Sequence, residues 1–348
     1  MRSLLTRLLA VPEDARRLAG EEWNIAIRQA RQTQLLGQFA AALRRAGVFD
    51  ELPEPVLRHL RLALLTSRSR CLAATWEIGT LRRAVPPHIP LVLLKGAAYD
   101  AATDANAEGR LFSDIDLLVP RASLDRTEAS LLAEGWMPKR VNAYDQRYYR
   151  QWSHEIPPLE HVRRHTVVDL HHAIVPPISR YSFAPEKLFA ALDEVLPGIH
   201  VLKPRDRVIH CAVHLIQEGE ASKVFRDLYD LHLLLGQHCA SAQDWEGLLE
   251  RAGELGVGRL VAAAATAAEQ VFGTTPPSGI RGGWLKAALV QAALAHDPAA
   301  VGSLAREAAR FTLLAHSHWM KMPAHILLPH LCRKAVVGLF AKEEQAGA

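Results

Sequence analysis

Leu91-Val92-Leu93-Leu94-Lys95-Gly96 and, further on, Ser113-Asp114-Ile115-Asp116-Leu117-Leu118-Val119 decide the fold. The first run is short, apolar and closed by glycine, so it predicts a buried strand breaking into a tight turn. In the second run, strand alternation puts Asp114 and Asp116 on one face and Ile115 on the other. Two carboxylates on one face beside apolar neighbours repel each other and lose hydration. A divalent cation relieves both costs.

Upstream of this pair, residues 13–48 carry Leu18, Trp23, Ile27, Leu35, Leu36, Phe39 and Leu43 at roughly helical spacing, with Gly47 as the stop. Pro53 and Pro55 open a second helix that runs to about Arg83, and Val85-Pro86-Pro87-His88-Ile89-Pro90 breaks it. Around the acids, the pattern predicts a strand over 91–94, a short helix over 97–102 and a mobile loop over 103–110. A strand over 115–119, a helix over 122–134 and a strand over 136–141 follow. Two adjacent strands are expected over 161–165 and 166–172, with the intervening aromatic stretch unassigned. Past residue 200 helices are expected over 204–219, 222–235, 244–253, 257–272, 284–295, 301–315 and 323–340. The fold class is therefore α+β, with a small mixed sheet at residues 85–200 flanked by an N-terminal helical region, 1–84, and a C-terminal helical domain, 201–348.

The bulk numbers fit this division. A chain of 348 residues, 49% hydrophobic and 22% charged, has enough apolar material for two or three ordered domains. No apolar stretch approaches the roughly 20 residues that cross a bilayer. The leucine-rich N-terminus is interrupted by Arg7 and followed by no small-residue cleavage site, which predicts a helix in a cytoplasmic protein with no stable membrane association. Cys71, Cys211, Cys239 and Cys332 are scattered, with no Cys-x-x-Cys pair, which argues for free thiols and against a cysteine zinc site. Residues 1–90 hold fourteen arginines, no lysine and eight acids, a surplus of six positive charges. Such a surplus suits either an anionic partner such as RNA or simply solvated helix faces.

Asp169, in Val167-Val168-Asp169-Leu170, is a third acid in an equally apolar run. Three carboxylates on adjacent strands can hold two magnesium ions, which activate a hydroxyl and neutralise phosphate charge. Gly96 lets backbone amides approach phosphate oxygens. Lys95 follows four apolar residues, so it either reaches phosphates or snorkels from the strand end. Arg110 is either a bidentate phosphate clamp or the partner of Asp104 or Glu108. By alternation His171 shares the face of Asp169, as an orienting or substrate-contacting residue.

The set Leu94-Lys95-Gly96, Arg110 with Ser113-Asp114-Ile115-Asp116, and Val168-Asp169-Leu170-His171 resembles the polymerase-β nucleotidyltransferase superfamily. Within it, the chain is most similar to the bacterial family of uncharacterised nucleotidyltransferases. The spaced His210 and His214, the run Arg226–Leu231 and Asp244-Trp245 extend the likeness over about residues 85–260. The resemblance implies transfer of a nucleoside monophosphate from an NTP, ATP by default, to a hydroxyl on a small molecule, a peptide or protein, or RNA. It implies that Asp114, Asp116 and Asp169 hold two Mg2+ ions, with Mn2+ as a substitute, and that Lys95, Gly96, Arg110 and Ser113 contact the nucleotide. Many superfamily members carry Gly-Ser or Gly-Gly where this chain has Lys95-Gly96-Ala97, so Lys95 is the candidate replacement for the usual serine contact.

Two other readings compete. One is a non-catalytic nucleotide-binding scaffold on the same fold. The other is a metal phosphohydrolase centred on His210, His214 and Asp227, with Asp230 nearby. The aromatic stretch Tyr144, Tyr148, Tyr149 and Trp152, interleaved with Arg147 and Arg150, suits base stacking or plain packing. The basic and apolar run His316 to Phe340 suits packing on the chain's own helices or lying on a partner surface.

Overall fold

Four helices precede the sheet in the computed structural model, which describes residues 3–139, 142–297 and 301–333. Helix α1 spans Leu4–Ala10, and the Ser3 hydroxyl caps it by accepting from the Thr6 amide. Helices α2 (Gly20–Gln32) and α3 (Leu36–Arg45) follow, and Gly47 ends this section with a φ of +68°. Helix α4, Glu54–Ala84, starts after Pro53 and stops where the chain turns extended before the proline cluster.

The sheet region then runs β1 (Leu91–Leu93), α5 (Lys95–Ala101), β2 (Asp114–Leu118), α6 (Leu124–Ala133), β3 (Trp136–Pro138) and α7 (Ala143–Trp152). It continues with β4 (Leu159–His161), β5 (Val167–His171), α8 (Glu186–Phe189), β6 (Leu192–Leu196) and β7 (Ile199–Leu202). The seven strands lie in the order β3-β4-β5-β2-β1-β7-β6. β2 is parallel to β5 and antiparallel to β1, and β1 is parallel to β7. The fold is α+β.

Helices α9 (Pro204–Glu218), α10 (Ala221–His238), α11 (Ala242–Glu254), α12 (Gly258–Phe272), α13 (Gly283–Leu294) and α14 (Ser303–Lys321) follow the sheet. Residues 324–333 are also helical; the rest of the expected 323–340 helix lies outside the described residues. Among the described residues no helix is long and apolar enough to cross a membrane.

Alternation along the strands divides the interior into two hydrophobic clusters. Leu91, Leu93, Ile115, Leu117, Val168 and Leu170 face one cluster, closed by Ile78 and Leu81 of α4 and by Leu124 and Leu131 of α6. Val92, Leu94 and Leu118 face the other, which joins α1–α4 to α9–α14 in one continuous core. Asp114, Asp116 and Asp169 share the strand face of Leu118, so the acids open toward α9.

Several sequence expectations need correction. The segment 103–110 is not a mobile loop. Asp104, Asn106 and Arg110 are buried in it, and Asn106 is fully enclosed. The Arg207 guanidinium and a His238 ring nitrogen bind Asp104, and the Gln38 side-chain amide donates to the Asn106 carbonyl. The hairpin β6–β7 lies outside the sequence expectations, because the half-buried Asp193, the exposed Glu194 and Gly198 give its first strand no clear apolar alternation. The second strand pair is β4 with β5, beginning before His161, and the turn from 162 to 165 carries His165 at φ +56°. The aromatic stretch is the helix α7, with the Asn142 side chain as its N-cap.

Candidate active site

The register of β2 against β5 builds the site. Asp116 pairs with Asp169 and Asp114 with Val167, so three carboxylates gather on one face of two parallel strands. Asp116 is buried, whereas Asp114 and Asp169 are half-buried. Burial, followed by the neighbouring Asp116 and Glu155 carboxylates, pushes the Asp169 carboxyl up to about 7. Its Oδ1 is enclosed and has no hydrogen-bond partner.

Asp116 is the opposite case. Lys95 Nζ lies 2.7 Å and His171 Nε2 lies 3.0 Å from its Oδ1. Burial alone would favour the neutral acid, but the lysine charge and the histidine bond outweigh it and hold Asp116 far below the usual carboxylate range. Burial likewise opposes the charge on Lys95, and Asp116 overcomes it and raises the ammonium's pKa. The apolar run before Lys95 thus does deliver a charge to a partner, and that partner is Asp116. Lys95 sits at the first position of α5 with φ +47°, a left-handed conformation unusual for a lysine. The Leu94 amide beside it donates to the Asp116 carbonyl at 3.0 Å, so strand and turn are locked together.

Sequence reasoning missed His154 and Glu155. The segment after α7 lies along β5: Glu155 forms a β-bridge with His171, and the His172 amide donates to the His154 carbonyl at 2.9 Å. This places Glu155 Oε2 3.4 Å from His171 Nε2 and 3.9 Å from His154 Nε2. The available signal was Ser153-His154-Glu155 directly after an aromatic helix, but nothing in the spacing says that it returns to β5. On the other flank stand His210 and His214 of α9. Burial, with Lys95 next, pushes His210 down to about 3, and the same two causes drive His214 well below its ordinary value. Both rings are therefore neutral near pH 7.

The remaining nucleotide candidates are distributed differently. A Cβ on Gly96 would come within 2.6 Å of Arg110 Nη1 and 2.7 Å of Phe112 Cγ, so the glycine is required by packing. Arg110 is buried, 2.7 Å from Asp230 Oδ2 through its Nε, and its guanidinium stacks over the Tyr99 ring. Its ion-pair partner is thus neither Asp104 nor Glu108. Asp104 binds Arg207, and Glu108 faces Arg44 and Arg45. Ser113 is exposed and, with Asp114, lines a cavity of about 410 Å³ whose far wall is Arg70 and Trp76 of α4. A larger cavity of about 920 Å³ beside Glu218 and α14 contains none of the three aspartates.

The two motifs outside the acids have structural occupations. Asp227 accepts from Arg226 at 2.8 Å, and Asp230 from Gln38 and Arg110. Among the described residues, the group with metal-ligand geometry is His154, Glu155 and His171, not His210, His214 and Asp227. Tyr144 hydrogen-bonds His330 at 3.0 Å and Tyr148 lies against the same ring, so α7 packs on the helix at 324–333.

A family model described as an uncharacterised nucleotidyltransferase matches residues 19–273, most of the chain. The chain belongs to this nucleotidyltransferase family. No curated protein and no solved structure matches it. The family span takes in the N-terminal helices from α2 onward and ends just past α12, so it joins both sides of the shared core to the sheet. Membership in the nucleotidyltransferase family supports a nucleotidyl transfer role for the chain.

Proposed function

We propose that this protein is a polymerase-β type nucleotidyltransferase that moves a nucleoside monophosphate from an NTP, with ATP as the default, to a hydroxyl acceptor and releases pyrophosphate. The observation that carries the reading is the side-by-side pairing of Asp116 with Asp169, with Asp114 on the same face. The aspartates fit a divalent cation on the chemistry of the site itself. A half-buried carboxyl held up to about 7 with an enclosed, unpartnered oxygen is the signature of carboxylates that a cation would satisfy. Asp114, Asp116 and Asp169 would hold the ions, Mg2+ or Mn2+. Bound there, such ions neutralise phosphate charge and make an attacking hydroxyl more acidic.

The chain's own residues supply the rest. Lys95 balances Asp116 and stands at the α5 turn, where a point charge can meet phosphate oxygens once a cation neutralises that aspartate. Gly96 and Arg110 act one step back in this reading. Arg110 fills the space under the glycine, and its pairing with Asp230 holds the turn's shape. Ser113 and Asp114, at the start of β2, line the Arg70 and Trp76 cavity, so that cavity meets the acids only at this strand end, where it suits the acceptor side of the reaction. That cavity and the arginine-rich α4 favour an anionic acceptor such as RNA.

Incubation of the purified chain with each α-labelled NTP, Mg2+ and a lysate tests the reading. Label entering one size class, lost with Asp114→Asn or Asp169→Asn, is the expected result. Magnesium-dependent NTP binding with no labelled product on any acceptor supports the scaffold alternative instead.

A further inference from the structure

Beside the three aspartates lies a second set of donors of different chemistry. His154, Glu155 and His171 each offer one ligand atom, and these atoms all lie within 4.8 Å of one another. Ligands about 2.0–2.1 Å from a tetrahedral ion stand roughly 3.3–3.5 Å apart, from the tetrahedral angle. The separations of 3.4 Å from His171 Nε2 to Glu155 Oε2 and 3.9 Å from His154 Nε2 to Glu155 Oε2 are close to that spacing before any ion pulls them together.

The three side chains are held independently of any ligand. His171 belongs to β5 and is 2% exposed, Glu155 forms a backbone bridge to it, and the Ile156 amide donates to the Leu170 carbonyl at 3.1 Å. The Gln217 side-chain nitrogen, a donor, lies 3.3 Å from His154 Nε2. Two imidazoles and one carboxylate suit a borderline cation, whereas the neighbouring all-carboxylate set suits magnesium.

We propose that His154, Glu155 and His171 form a binding site for a borderline divalent cation of the zinc class, separate from the aspartate site and adjoining it through Asp116. Three protein ligands leave a fourth position open. His171 Nε2 is 3.0 Å from Asp116 Oδ1, so an ion on that nitrogen would take the place of the proton that now bridges to Asp116, and the two sets would adjoin there.

The test reads metal and needs no nucleotide, so it stands apart from failure of the transferase reading. The full chain is loaded with Zn2+, dialysed in metal-free buffer and analysed for bound zinc. The wild type and Asp169→Asn are expected to retain about one equivalent, while Glu155→Gln and His154→Ala lose it with unchanged circular dichroism. Undiminished zinc in Glu155→Gln, no zinc in the wild type, or equal loss in Asp169→Asn would overturn the proposal. A Co2+-loaded wild-type sample covers the case in which a variant does not fold. Intense visible bands of a tetrahedral nitrogen and oxygen site are expected, and the weak bands of an octahedral all-oxygen site would contradict them.

Discussion

Asp116 and Asp169 are neighbours in the same register, yet their environments push them in opposite directions, and this gives a prediction at the residue scale. Asp169 carries an unfavourable charge in the metal-free protein, because its carboxyl is raised to about 7 while an unfolded chain ionises near 3.9. Folding therefore loses stability as pH rises between those values. Asp169→Asn should raise the metal-free Tm by several degrees at pH 8, with a smaller gain at pH 5, and should abolish transfer. Asp116→Asn should lower the Tm, since it leaves Lys95 and His171 beside a neutral amide. Thermal unfolding at the two pH values distinguishes them, and equal effects of both substitutions would contradict the assignment. The three acids were legible in the sequence because an acid inside an apolar strand run needs a reason. Glu155 was not, because its place beside them depends on a tertiary return of the chain to β5 that no local period records.

At the scale of elements, the turn from β1 into α5 depends on the absence of a side chain at Gly96. Gly96→Ala would drive a methyl group against Arg110 and Phe112, and Phe112 is one residue from Ser113. Overpacking of this kind typically costs about 1–3 kcal/mol. Denaturant unfolding should show that loss, and magnesium-dependent nucleotide affinity should fall with it. A stable variant with normal affinity would mean that the turn can relax without moving β2. The strand–turn–helix unit was readable because Leu91–Leu94 is continuously apolar and glycine punctuates it. The 103–110 segment misled because its small polar residues look solvated, whereas their partners, Arg207, His238, Gln38 and Asp230, lie far away in sequence. The β6–β7 hairpin was hidden for a related reason: edge strands carry charge on purpose and lose their alternation.

At the scale of the molecule, the 103–110 segment ties the N-terminal and C-terminal helices to the sheet. Asp230 on α10 accepts from both Gln38 on α3 and Arg110, all three buried. Asp230→Asn strands the Arg110 charge and should destabilise the whole chain by about 3–5 kcal/mol in one cooperative transition. A separate early transition confined to the N-terminal helices would contradict the shared core. Acid sensitivity has a global source as well. Burial pushes His232 down to about 4, and its ring bonds the Thr274 hydroxyl at 2.8 Å. An unfolded chain protonates this group near 6.5, so its stabilising contribution is intact above that pH and is lost as pH falls from 6.5 toward 4. His232→Gln should flatten that limb of a stability-against-pH curve, and an unchanged limb would assign it to other groups. The most direct test of the central claim compares α-labelled with γ-labelled NTP in the presence of magnesium and lysate. The account predicts that label from the α position alone enters an acceptor, with pyrophosphate released and Asp169→Asn inactive. Acceptor labelling from the γ position, or α-labelling that survives in Asp169→Asn, would contradict it.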